Sequence, residues 1–130
     1  MLLIPTATLV VLVLGALSVD LAVVHLAQRQ AFAAASAAAN DAATAGLDPT
    51  ALHGGDGPRL DADRARRAAA ASLAGESALD PTATPEVRIE GTTVTVVVRF
   101  EVDYVFARGI PGAADGTTVR ATASADAVER

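Results

Sequence analysis

Leu2 to Val24 reads LLIPTATLVVLVLGALSVDLAVV, and this stretch decides how the rest of the chain can fold. Its interruptions are Pro5, two Thr, Ser18 and Asp20, and no charged side chain occurs from Met1 to Val19. Crossing a hydrocarbon core about 30 Å thick takes about 20 apolar residues in a helix. Three readings follow: a transmembrane anchor, a secretory signal cut after Ser18, or a core helix. Ala16 and Ser18 have the small-residue spacing of a cleavage site, but a signal peptide also wants a basic leading region. A core helix would need more chain around it than remains. The expectation is a transmembrane helix over residues 1–27. Orientation is not set by charge, because Arg29 is the only basic residue close to the apolar run.

Asp20 is the acidic group nearest the membrane. It either stays wet at the outer interface or makes a polar contact with a neighbouring helix, since a carboxylate in lipid is costly. His25 reads as an interfacial residue.

No Gly–Pro punctuation falls between Gly15 and Gly46, so the helix should run out of the membrane through residues 28–46, about 65 Å in all. Ten of the fifteen residues from Ala31 to Ala45 are Ala, the strongest helix former. Ala27, Ala31, Ala35, Ala39 and Ala43 recur every fourth position and share one face, with Ala34, Ala38 and Ala42 beside them. A face of small side chains lets another backbone approach closely. The candidate helix-packing residues are therefore Asp20, Ala27, Ala31, Ala35, Ala39 and Ala43. The stripe meets either partner helices or the protein's own sheet. Gly46 suits the helix end and Asp48-Pro49 stops it.

Residues 47–130 read as one small α+β domain. Leu47 to Leu60 is rich in turn formers, among them His53, Gly54, Gly55, Asp56, Gly57 and Pro58, and reads as loop. Asp56, Asp61 and Asp63 lack the alternation and terminal Glu of a calcium loop. Asp61 reads instead as the N-cap of a helix over about 61–77, with Asp63 in its first turn. Pro81 and Pro85 bar helix and mark a short extended connector.

Val94, Val96, Val98, Phe100, Val102, Tyr104 and Phe106 alternate with mostly polar residues, which is a strand signal over about 93–106. Val97 and Val105 are apolar exceptions on the polar side. A preceding strand over 87–90 pairs with it through a Gly91-Thr92 turn, setting Ile89 opposite Val94 and Val87 opposite Val96. Gly at the first turn position suits type II′. After a Gly- and Pro-containing loop, a third strand spans 117–127. Val119, Ala121, Ala123, Ala125 and Ala127 form its small-residue face. The architecture expected is a helical stalk, a second helix and a three-stranded antiparallel sheet packed on them.

The composition narrows the function. Of 130 residues, 52% are hydrophobic and 19% charged, which is too apolar for a disordered chain. Net charge is −5 with no Lys, so the clustered basic residues that nucleic acid requires are missing. With no Cys, disulfides, thiolate metal sites and cysteine nucleophiles are excluded. The sequence carries no HExxH, GxSxG, phosphate loop or dinucleotide fingerprint. Glu101 and Asp103 sit on the exposed side of a strand as solubilising charges. The expectation is a protein without enzymatic activity, cofactor, metal or small-molecule substrate, whose partners are lipid and other proteins.

Two groups of segments resemble a known family. SVDLAVVHLAQRQ (Ser18–Gln30) and AANDAATAG (Ala38–Gly46) are similar to the Val-Asp, Arg/Gln-rich and alanine-block order of the TadE/TadG-like proteins of Flp (Tad) pilus systems. VDYVF (Val102–Phe106), the Ile110–Gly112 loop and TTVRATASADA (Thr117–Ala127) resemble small actinobacterial members. The resemblance implies a minor pilin-like or assembly component in the cytoplasmic membrane. It implies a single pass, an extracytoplasmic C-terminal domain, and pilin-like partners meeting the N-terminal helix. Many relatives carry a basic residue and Gly before the helix and a Glu near its start. Here Leu3, Ile4, Pro5 and Thr6 stand there, which implies a permanently anchored factor rather than a processed bulk subunit. The other readings are a secreted binding module released near Ser18 and a membrane-anchored envelope domain unrelated to pili.

Overall fold

The computed structural model describes residues 3–54, 57–77, 79–80 and 82–127. Leu2 at the head of the apolar run, Gly55 and Asp56 in the turn-rich segment, and Pro81 in the connector lie outside the described residues. The architecture is α+β.

The first helix, α1 (Leu3–Ala45), runs unbroken for 43 residues. Pro5 is tolerated in its first turn, where backbone N–H groups have no intrahelical acceptor. The Thr8 hydroxyl donates to the Ile4 carbonyl at 2.9 Å and the Ser18 hydroxyl to the Leu14 carbonyl at 2.8 Å. Both polar groups are thereby satisfied inside an apolar run. The helix is long and apolar enough to cross a membrane. From Leu3 to Val19 every residue is exposed except the half-buried Ala16. The core-helix reading therefore fails for this half, because none of the described residues covers it.

The C-terminal half of α1 is the opposite. Ala31, Ala34, Ala35, Ala38, Ala39, Ala42 and Ala43 are all buried, with Ala27 partly buried beside them. Their cover is the sheet and α3 (Ala62–Gly75). Ala65 and Ala69 of α3 belong to the same core, so two alanine faces meet.

At its end α1 comes very close to α3. A Cβ on Gly46 would lie 2.6 Å from the Ala42 carbonyl oxygen and 2.8 Å from the Ala65 Cβ. Glycine is needed here for close approach. The turn-rich segment is not all loop, for α2 (Pro49–Gly54) occupies part of it. The Asp48 carboxylate accepts the Thr50 N–H at 2.9 Å, and Pro49 supplies a first-turn φ. The proline that ends α1 thus also starts α2. Leu47 and Leu60 bridge across the base of this excursion. Asp61 caps α3 as expected, its carboxylate accepting the N–H groups of Asp63 and Arg64, each at 3.0 Å.

The strands β1 (Thr84–Glu90), β2 (Thr93–Asp103) and β3 (Gly116–Asp126) form an antiparallel sheet in the order β1-β2-β3. The hairpin register sets Ile89 against Val94 and Val87 against Val96, as the alternation dictates. Gly91 has φ +62°, the left-handed value a II′ turn needs. β1 begins three residues before the expected start and includes Pro85. It is an edge strand, where a missing N–H breaks no ladder.

Val94, Val96, Val98 and Phe100 of β2, with Val119, Ala121 and Ala123 of β3, are buried toward α1. The flat alanine strand lets the alanine face of the helix settle onto the sheet. The opposite face carries polar pairs, including Thr95 with Ser124 at 2.8 Å and Thr93 with Asp126. Val97, the apolar exception on that face, is nonetheless buried between its cross-strand neighbours Glu86 and Thr122.

Candidate functional site

The expected second strand stops at Asp103, and Tyr104, Val105 and Phe106 leave the sheet. The Tyr104 N–H still donates across the loop to the Asp115 carbonyl at 2.9 Å. The next three N–H groups turn to α1. Asp20 Oδ1 accepts from Val105 at 2.7 Å and Phe106 at 3.1 Å, and Oδ2 accepts from Ala107 at 2.9 Å. A 3₁₀ turn over Ala107–Gly109 follows and itself touches α1. Consecutive N–H groups converging on one anion are an anion-binding concavity, here filled by the chain's own carboxylate. Charge-assisted bonds of this kind are roughly twice as strong as neutral ones.

Asp20 is 4% exposed, the one charged residue among those described that is buried. Neither sequence reading of it describes this arrangement. It is buried from water rather than wet, and its carboxylate is taken up by the loop of its own domain. Three of its about four acceptor positions are filled within the chain. The alanine stripe has likewise found its occupant: Ala31, Ala35, Ala39 and Ala43 face the chain's own sheet and α3, with Ala27 at the edge. The stripe is not a free surface for partners.

The junction between the bare and the buried halves of α1 therefore sits at Asp20. Around it the loop exposes Val105, Phe106 and Ile110. Sequence reasoning missed the loop N–H groups, which carry no side-chain signature. The usable signal was Val105, an apolar residue on the polar side of the strand pattern.

Charged groups elsewhere are held at the surface. The Arg64 N–H, then that of Asp63, and the nearby charges of Arg64 and Arg67 hold the Asp61 carboxyl below the usual range against desolvation. The Arg88 guanidinium, 2.6 Å from Glu86, does the same for Glu86, with smaller help from Arg99 and Arg120. His25 lines an open groove of about 640 Å³ with Arg29, Phe32 and Arg120, and His53 is exposed with Nδ1 2.7 Å from the Pro49 carbonyl. The two imidazoles stand on different helices, His25 on α1 and His53 on α2. Among the described residues no His, Asp or Glu side chains gather into a metal-holding cluster. Glu101 and Asp103 are exposed on the outer side of β2.

The chain matches no protein-family model, no curated protein and no solved structure.

Proposed function

We propose that this chain is a non-enzymatic, single-pass membrane component of a Tad/Flp-type pilus assembly or secretion apparatus, in the manner of a TadE/TadG-like or minor pilin-like factor. The observation that carries the membrane part is the division of one continuous helix. Leu3–Val19 is apolar and bare, whereas Ala31–Ala43 is the core of the attached domain. A bare helix of this length is stable where lipid or other apolar helices surround it. The α+β domain is then held outside the cytoplasmic membrane.

The pilus part rests on the resemblance and on one supporting contact. Two of the segments that carry it, SVDLAVVHLAQRQ and VDYVF, meet at the Asp20 carboxylate, through the N–H groups of Val105 and Phe106. With the alanine stripe covered internally, contacts to partner subunits fall to Leu3–Val19 in the bilayer and to the outer surface of the domain.

Deletion of the gene in its host tests the assembly role. Surface filaments or export should be lost, and restored by the full chain but not by a form beginning at Val19. Normal assembly after deletion would overturn the pilus reading and favour an envelope domain of other purpose. Rescue by the form beginning at Val19 would favour a secreted module.

A further inference from the structure

Val105, Phe106 and Ile110 are 51%, 51% and 56% exposed, an unusual set of large apolar side chains to leave uncovered on one short loop. The loop is not loosely placed. Three of its N–H groups are fixed on Asp20, and turns at Gly109, Ile110 and Ala113 close it with bonds of 3.0 Å each. It is therefore a shaped apolar projection. It lies where the bare half of α1 ends, held on Asp20, whose helix neighbours Leu17, Val19 and Leu21 are exposed. Arg108 is exposed on the same turn, and Tyr104, half buried, stands at its root.

We propose that residues 105–110 form a foot that enters the headgroup–acyl boundary of the leaflet from which α1 emerges. Phe106, Val105 and Ile110 contact acyl chains, and Arg108 reaches lipid phosphate. This rests on the reading that α1 spans the bilayer. Seventeen residues from Leu3 to Val19 rise about 25 Å, and a hydrocarbon core is about 30 Å thick. The run is about 5 Å shorter than the core, so the bilayer edge falls between Asp20 and about three residues past it, at the level of the loop that Asp20 holds. Aromatic and basic side chains favour this level. The three N–H groups on Asp20 also explain how a carboxylate can sit at such a boundary, because three of its about four lone pairs are satisfied before lipid arrives.

The chain contains no Trp, so a single one reports its own surroundings. Three full-length variants, Leu12→Trp, Phe106→Trp and Thr44→Trp, would be reconstituted in phosphatidylcholine–phosphatidylglycerol vesicles, with and without brominated acyl chains. Thr44 is exposed about 36 Å further along the helix than Asp20. The foot predicts blue-shifted emission and loss of intensity to bromine at positions 12 and 106, and neither at 44. Quenching at 12 with position 106 behaving like 44 overturns the foot and leaves the span standing. Absence of quenching at 12 overturns the span and the foot together. A blue shift at 106 that follows protein density, without bromine quenching, assigns the loop to a second copy and also overturns the foot. Circular dichroism and limited proteolysis of each variant, matching the parent, confirm that position 106 is read in a folded domain.

Discussion

The Asp20 carboxylate accepts the backbone N–H of Val105 at 2.7 Å across 85 residues of sequence. With the adjoining bonds to Phe106 and Ala107, this pins the far end of the sheet to the point where α1 leaves its domain. The helix and the head are thereby joined at the level where apolar exposure begins.

Asp20→Ala removes the acceptor for all three N–H groups and leaves them without a partner of comparable strength. Amide exchange of Val105, Phe106 and Ala107 should accelerate in detergent-solubilised protein, while that of Val96 and Val98 stays slow. Asp20→Asn should fall between, because its Oδ1 still accepts from Val105 and Phe106 while the amide nitrogen in place of Oδ2 cannot accept from Ala107. Unchanged protection of the loop in Asp20→Ala would contradict the clasp.

Ala35 is fully buried against the sheet, and Ala37 faces outward on the same helix. Ala35→Glu forces a carboxylate into an apolar, close-packed contact and should destabilise the domain by more than about 3 kcal/mol, in the range that unfolds small domains. Ala37→Glu should stay within about 0.5 kcal/mol of the parent. Urea unfolding followed by circular dichroism separates the two.

Gly46→Ala places a methyl group against the Ala42 carbonyl oxygen, which cannot move without breaking the helix end, and against Ala65. Overpacking of this kind costs about 1–3 kcal/mol. Gly75 has open space around its missing Cβ, and Gly75→Ala should leave the unfolding free energy within about 0.5 kcal/mol of the parent. Equal effects of the two substitutions would deny the close approach of α1 and α3.

Acid should weaken the head. Asp61 and Glu86 are held below their usual carboxyl range, by the Arg64 N–H and by Arg88 respectively. A depressed folded pKa means stabilisation that is complete above the unfolded value, about 4, and is lost as pH falls through the folded one. Thermal midpoints should therefore be flat near neutrality and decline below about pH 4. Asp61→Asn should remove part of that decline. A parent midpoint unchanged down to pH 2.5 would contradict these assignments.

Much of this was legible because period and punctuation agree. Strict alternation on either side of Gly91-Thr92 allows one hairpin register that keeps Val87, Ile89, Val94 and Val96 on one face, and that register is observed. The alanine face of β3 and the unbroken helix to Ala45 followed in the same way. Three features were not readable. Pro49 ends one helix and opens another, and only the Asp48 cap distinguishes the two roles. Pro85 joins β1 because that strand lies at the sheet edge, which is a tertiary fact. The alternation continues through Phe106, but the strand ends at Asp103 because a distant carboxylate competes for the next N–H groups. Local pattern cannot register a partner 85 residues away.

The claim on which the account turns is that the bare half of α1 stays attached and lies in the membrane. The direct measurement is the intact mass of the protein recovered from alkali-washed membranes and from the medium of one culture. A full-length species confined to the washed membranes is the predicted result. A species in the medium that begins at Val19 would contradict it.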